Sequence, residues 1–137
     1  MSMLYAQAIK ALGDHMKTFT RGGQVVLAGE VFSPSQDRGY VRGRFAAYTR
    51  NPAGFGADSV YLESGTYEVS ICRPGREGEL PAAQLAVAVA AHFARGSGLV
   101  LGTGVFLHFE NVSAFPAIIA GDWLTVPVIV SWFCTDP

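Results

Sequence analysis

The residue types that most often carry chemistry are scattered through this sequence of 137 residues. Its three histidines, His15, His92 and His108, fall on three different predicted elements. None lies at metal-ligand spacing from a cysteine, a carboxylate or another histidine. On its apolar helix, His92 is more typical of a packed core or interface histidine than of a ligand. We interpret His108 and Glu110, which share a strand face, as part of a solvated surface. The histidines therefore predict no metal centre.

The candidate nucleophiles are equally isolated. Ser97 stands between two glycines, but it lacks the Gly-x-Ser-x-Gly elbow and follows a predicted helix instead of preceding one. Cys72 has one neighbouring cation, Arg73, which is too little to predict a reactive thiol. Both Cys72 and Cys134 fall in predicted strands, and we interpret them as reduced, packed thiols. The sequence thus predicts neither a catalytic constellation nor a cofactor site, and we expect no enzyme activity.

Composition and charge limit the possible partners. Half of the residues are hydrophobic, only 15% are charged, and the net charge is −1. This balance gives no electrostatic basis for binding nucleic acid or an anionic membrane. No apolar run of about 18 residues is uninterrupted, so we expect no spanning helix, and the N-terminal residues lack the pattern of a secretory signal. A small domain with so little charge has apolar surface to spare, which favours partial coverage by other chains.

Arginine and tyrosine alternate on one predicted strand. Arg42 and Arg44 are expected to share a face with Tyr40 and Tyr48. Interleaved arginine and aromatic side chains can stack on single-stranded nucleic acid. The nearly neutral charge argues against that hypothesis. We favour a polar sheet face, or a face that meets charged groups of a partner.

The chain is organised around a strand and a helix that follow one another. In the strand, predicted over about 61–73, Tyr67, Val69 and Ile71 alternate with polar residues, which indicates one buried face. The helix, predicted over about 80–94, is apolar nearly all round. We therefore expect it to be buried on more than one side, by the first helix or by another subunit.

The remaining segments define the fold class. A helix is predicted over 3–19, with Asp14 and His15 towards solvent, and further strands over 24–32, 40–49, 99–111 and 122–134. Residues 50–59 are expected to be a flexible connector, and 112–121 an unusually apolar loop. Pro127 predicts that the last strand lies at an edge or contains a bulge. The order α-β-β-β-α-β-β predicts a single α+β domain over 1–137, with a mostly antiparallel sheet of four to five strands.

Several motifs follow one another along the chain, and their order is more informative than any single motif. After the N-terminal helix come Gly-x-Tyr-x-Val-x-Ile (65–71) and Pro-Gly-x-x-Gly (74–78), then an Ala-rich helix ending in His-Phe (92–93), and finally Gly-Asp-Trp-x-x-Val-Pro-Val (121–128). This order resembles the tail terminator, or tail completion, proteins of long-tailed phages. The resemblance implies a twisted, mostly antiparallel sheet with two helices packed on one face. It also implies a non-enzymatic hexameric ring that caps the tail tube and meets the head connector.

The same resemblance implies a location and a set of contacts. We expect a virion protein of the tail or neck, encoded by a phage or prophage and assembled in the host bacterial cytoplasm. Its partners would be copies of itself, the tail tube protein and the head-tail connector protein. The candidate contact residues are Arg42, Arg44, Phe55, Phe115, Ile118 and Ile119. The alternative is a monomeric small-molecule-binding domain, with a pocket between the Ala-rich helix and the sheet.

Overall fold

The computed structural model of the chain describes residues 3–34, 39–52, 61–102 and 104–136. Within them lie two α-helices, one 3-10 turn and seven strands. In chain order these are α1 (Met3–Lys17), β1 (Gln24–Leu27), β2 (Tyr40–Pro52), β3 (Tyr61–Pro74), the 3-10 turn (Gly75–Glu77), α2 (Leu80–His92), β4 (Gly98–Val100), β5 (Phe106–Ala114), β6 (Ile118–Ala120) and β7 (Trp123–Asp136). The predicted α+β class is confirmed.

All seven strands form one mixed sheet in the order β1-β2-β3-β7-β5-β4, and β6 pairs with β7 beside it. Only β1 and β2 run parallel, and the other pairs are antiparallel. The predicted number of four to five strands was too small. The prediction merged β4 with β5, and it assigned 112–121 to a loop although residues 112–114 end β5 and 118–120 form β6. Strands of three residues are too short to show an alternating pattern.

The core lies between the sheet and the two helices, which share one face of it. The predicted apolar stripe of α1 is buried, with Leu12 and Met16 at 0% exposure. The predicted strand face of Tyr67, Val69 and Ile71 is buried in the same cluster. From β7, the alternate residues from Leu124 to Trp132 join it. Sequence periodicity therefore identified the core correctly.

A β-bulge changes the two faces of β2. The pairing with β3 shifts between Phe45 and Ala47, so that Tyr48 lies on the helix-facing side. There its ring lies 4.7 Å from that of Tyr5 in α1. The prediction that Tyr48 shares a face with Arg42 was wrong, because strict alternation ends at a bulge.

Pro127 lies in a central strand, not at an edge. β7 is flanked by β3 on one side and by β5 and β6 on the other. The Pro127 carbonyl accepts a hydrogen bond from the Phe115 N–H, 2.9 Å away. In an antiparallel strand the N and O of one residue point to the same side. The missing N–H of Pro127 therefore faces Phe115, so the bond that proline omits lies just past the end of β5, in the interval before β6.

Candidate interaction surface

Helix α2 is buried on one side only. Its start is favoured by Pro81 in the first turn and its length by alanine, the residue with the highest helix propensity. Val89 is fully buried against the sheet, whereas Val87 is 73% exposed. The expectation that α2 is buried on more than one side was wrong for the isolated chain, because α1 leaves its outer side uncovered. Composition alone did not show this, since both sides consist of Ala and Val.

An apolar groove separates the exposed side of α2 from the sheet, with a volume of about 370 Å³. Its wall includes Ala83, Val87 and Ala90 from the helix, and Val112, Ala114 and Phe115 from the opposite side. Glu79 is the only charged residue in this lining. Small-molecule sites combine apolar walls with a few polar groups that orient the ligand. This lining offers one such group, so the groove fits an apolar protein segment better than a small molecule.

The groove continues into an exposed apolar surface. Phe115, Ile118 and Ile119 are 50%, 57% and 70% exposed. Two segments build this surface, residues 80–94 and 111–121, and neither contains Asp, Glu, Lys or Arg. We call the exposed side of α2 together with residues 111–121 the apolar surface. Of the predicted contact residues, Phe115 lines the groove beside α2. Ile119 pairs with the buried Leu124 on the helix-facing side of the sheet, whereas Ile118 pairs with Thr125 and lies on the opposite, open side.

The predicted arginines lie on the opposite face of the sheet. The Arg44 guanidinium forms an ion pair with Glu68, with an N–O distance of 2.6 Å. The Arg42 guanidinium carbon lies 5.7 Å from the centroid of the Tyr40 ring. This open face is therefore polar and aromatic, and it lies on the other side of the sheet from α2 and the groove. The remaining predicted contact residue, Phe55, lies outside the described residues, as does most of the connector predicted over 50–59.

Sequence reasoning missed a contact between two histidines. His15 and His92 stack with ring centroids 4.1 Å apart. Their Nε2 atoms donate to each other's backbone carbonyls, at 2.7 Å from His15 and 2.8 Å from His92. Each imidazole thereby satisfies a carbonyl near the end of the other helix. His15 was wrongly predicted to face solvent, whereas His92 is a packed histidine as expected. No local sequence signal could have paired residues this far apart.

Partial burial lowers the pKa of His15 below its ordinary value, because desolvation disfavours the imidazolium. The hydrogen bond to the His92 carbonyl opposes this shift, and the nearby His92 charge adds to it. His15 is therefore favoured as the neutral ring near pH 7. The arrangement stabilises the helix ends and offers no reactive group.

The buried carboxylate of Glu63 was also missed. It is fully buried on the helix-facing side, where it accepts a hydrogen bond from the Tyr48 hydroxyl. The alternation along β3 could have predicted this burial, because Glu63 lies four residues before the buried Tyr67 and its side chain therefore points to the same side of the strand. Cys72 and Cys134 are both buried and form no disulfide, which confirms their interpretation as packed thiols.

Across the described ranges, no three His, Cys, Asp or Glu side chains come close enough together to hold a metal ion. No helix in those ranges is long and apolar enough to cross a membrane. What distinguishes the molecule is an uncharged apolar surface. The fold and this surface together define a class: a small α+β protein whose candidate site is a contact surface.

The model of the phage tail terminator protein family matches residues 7–132, nearly the whole chain. The chain belongs to this family, and the resemblance drawn from its motifs is confirmed. Membership indicates a structural role in the phage tail. One solved structure is similar over 100% of this chain and 97% of its own, with a TM-score of 0.65 and 22% sequence identity. Identity this low shows a shared fold. No curated protein matches the chain.

Proposed function

We propose that this protein is a tail terminator that caps the finished tail tube as a hexameric ring, stops its growth and joins it to the head connector. It would act without catalysis or a cofactor, in the tail or neck of the virion, after assembly in the host cytoplasm. Family membership supports the structural role. The observation that carries the ring is the uncharged apolar surface.

The composition of that surface supports contact between copies. Permanent and homo-oligomeric interfaces are more apolar than other protein surfaces, and their centres are depleted of charge. Residues 80–94 and 111–121 contain no acidic or basic side chain. Leu80, Val87 and Ile119 are each more than 65% exposed. Such groups stay in water in the isolated chain and would leave it when a neighbouring subunit covers them.

A ring also needs surfaces for other proteins. The open sheet face, with Arg42 and Arg44, lies on the other side of the sheet from α2 and the groove, and it suits a partner with complementary charge. We assign it to the tube protein or the connector protein. A heterologous contact closes into a ring when the rotation between subunits completes a circle, and the open faces of all six subunits would then be displayed with the same symmetry.

The test uses two exposed isoleucines. Ile119 lies on the apolar surface and is 70% exposed, whereas Ile9 lies on α1 and is 40% exposed. The wild-type chain and Ile9→Asp should arrest growth of the cognate tail tube and show about six protomers by native mass spectrometry of capped ends. Ile119→Asp should do neither while keeping the wild-type circular dichroism. Tubes that grow to the same length with and without the wild-type chain would refute the proposal.

A further inference from the structure

One edge of the sheet is left open beside the groove. Where β5 faces away from β7, the Phe109 N–H donates to the Ser97 carbonyl at 2.9 Å, and the Phe109 carbonyl accepts from the Gly96 N–H at 3.1 Å. Pairing with β7 then shifts by one residue between Phe109 and Asn111. The cover provided by residues 96–100 ends at this bulge, whereas β5 continues to Ala114.

The direction of the next backbone groups follows from Pro127. Its carbonyl faces β5 and β6, so alternate residues of β7 do the same, including Ile129. Ile129 is paired with Ser113, whose own N–H and C=O therefore point towards β7. The groups of Val112 and Ala114 consequently point outwards. Within the described ranges, no backbone hydrogen bond closes this stretch of edge.

At the opposite edge of the sheet, side chains close β1, whereas β2 extends beyond its pairing with β1 from Arg44 to Pro52. On β1, the Lys17 ammonium donates to the Val25 carbonyl at 3.1 Å, and the Glu30 carboxylate accepts from the Leu27 N–H at 2.7 Å. Lys17 and Glu30 also form an ion pair of 2.9 Å. Charged side chains at an edge strand prevent pairing with other chains. The β5 edge lacks this protection, although an open apolar edge is a liability for association.

We propose that the β5 edge at Val112 and Ala114 takes up an extended segment of a second copy by strand addition. The backbone of the added segment pairs with these two residues. Alternate side chains of that segment enter the groove between β5 and α2, since the side chains of Val112 and Ala114 line it. This inference rests on the proposed ring, and it specifies how neighbouring subunits are joined.

A second copy is the occupant that the surface chemistry favours. Among the described residues that line the groove, Glu79 carries the only charge, and charge-depleted apolar surfaces of this kind typify homo-oligomers. The segment that is added is not β1, because Lys17 and Glu30 occupy its edge. The proposal further requires a segment other than β5 itself, because a closed ring joins two different surfaces of the chain.

The test is amide hydrogen exchange of the full-length chain by NMR, in dilute solution and in assemblies. Ser113 is the internal control, because its N–H is paired with β7 in every state. On assembly, exchange at Val112 and Ala114 should slow by at least about tenfold, while Ser113 changes little. Assemblies in which both amides still exchange rapidly overturn strand addition but leave the ring intact. Protection that appears only with the tube protein overturns the assignment to a second copy.

A proline substitution provides an independent measurement. Ala114→Pro removes one outward N–H and no bond to β7, whereas Ala114→Val keeps the N–H at similar side-chain volume. Sedimentation should show self-association at least about tenfold weaker for Ala114→Pro than for Ala114→Val, with unchanged melting temperatures. Equal association of the two variants refutes strand addition. A wild-type chain that neither assembles nor arrests tubes refutes the proposed function as well.

Discussion

Val87→Glu tests the apolar surface most directly. Complete burial of a valine side chain stabilises a fold by about 1.5–3 kcal/mol. Val87 is 73% exposed, so roughly a quarter of that, less than about 1 kcal/mol, is at stake for folding. Glutamate also has a better helix propensity than valine. The variant should therefore fold with nearly wild-type stability in urea.

Assembly should respond much more strongly to the same change. A subunit that covers Val87 would in the variant bury a carboxylate without a partner, which costs about 1–3 kcal/mol, in addition to the lost apolar burial. The sum of about 2–5 kcal/mol corresponds to an association constant roughly 30 to 4000 times smaller. Sedimentation velocity over a dilution series measures this constant directly.

Val89→Ala is the matched control two residues away. Val89 is fully buried in the chain, so this variant should lose about 2 kcal/mol of folding stability. Its folded molecules should still associate normally. If Val87→Glu associates like the wild type, the outer side of α2 is not a subunit contact. If it unfolds like Val89→Ala, the assignment of Val87 as an exposed residue is wrong.

Two further substitutions test the packing that supports the surface. His15 has a lowered pKa in the folded state, so its contribution to stability is complete above pH 6.5 and is lost as the pH falls through the folded pKa. His15→Gln keeps an Nε2 donor but does not titrate. The melting temperature of this variant should fall less between pH 7 and pH 5 than that of the wild type. An equal fall in both proteins contradicts this role of His15. At Gly65, an added Cβ would contact the Ala47 carbonyl and lie 2.8 Å from the Trp132 ring. Gly65→Ala should therefore destabilise the fold by about 1–3 kcal/mol in urea, and a neutral effect contradicts the close packing.

Much of the core could be predicted from sequence because periodicity reports burial directly. The alternation of Tyr67, Val69 and Ile71 is a local property of one strand, and so is the stripe of α1. The bulge that turns Tyr48 inwards is not local, since it depends on the register between β2 and β3. The parallel pairing of β1 with β2 likewise depends on contacts between segments distant in sequence.

The apolar surface could be predicted only in part, for a related reason. Phe115, Ile118 and Ile119 were predicted as contact residues because large apolar residues in a loop are unusual. The outer side of α2 was not predicted to be exposed, because Gln84 is the only polar residue over residues 80–91 and a single polar residue does not define an exposed side. Val89 is buried because it faces the sheet, and Val87 is exposed because it points away from the sheet. The segment 112–121 was identified as apolar, but its role as an edge became visible only with the pairing of β5 and β7.

The composition of the apolar surface reconciles exposure with specific association. Ala83 and Ala91 lie on the exposed side of α2, and at these positions another chain can approach the helix backbone closely. The larger groups Val87 and Phe115 line the groove, and large side chains in such pockets contribute most to binding. Lys17 and Glu30 close the β1 edge. The β1 edge of one copy therefore cannot pair with the β5 edge of the next copy. The added segment must therefore come from another part of the neighbouring subunit, so that the contact does not extend one sheet through successive copies by way of β1.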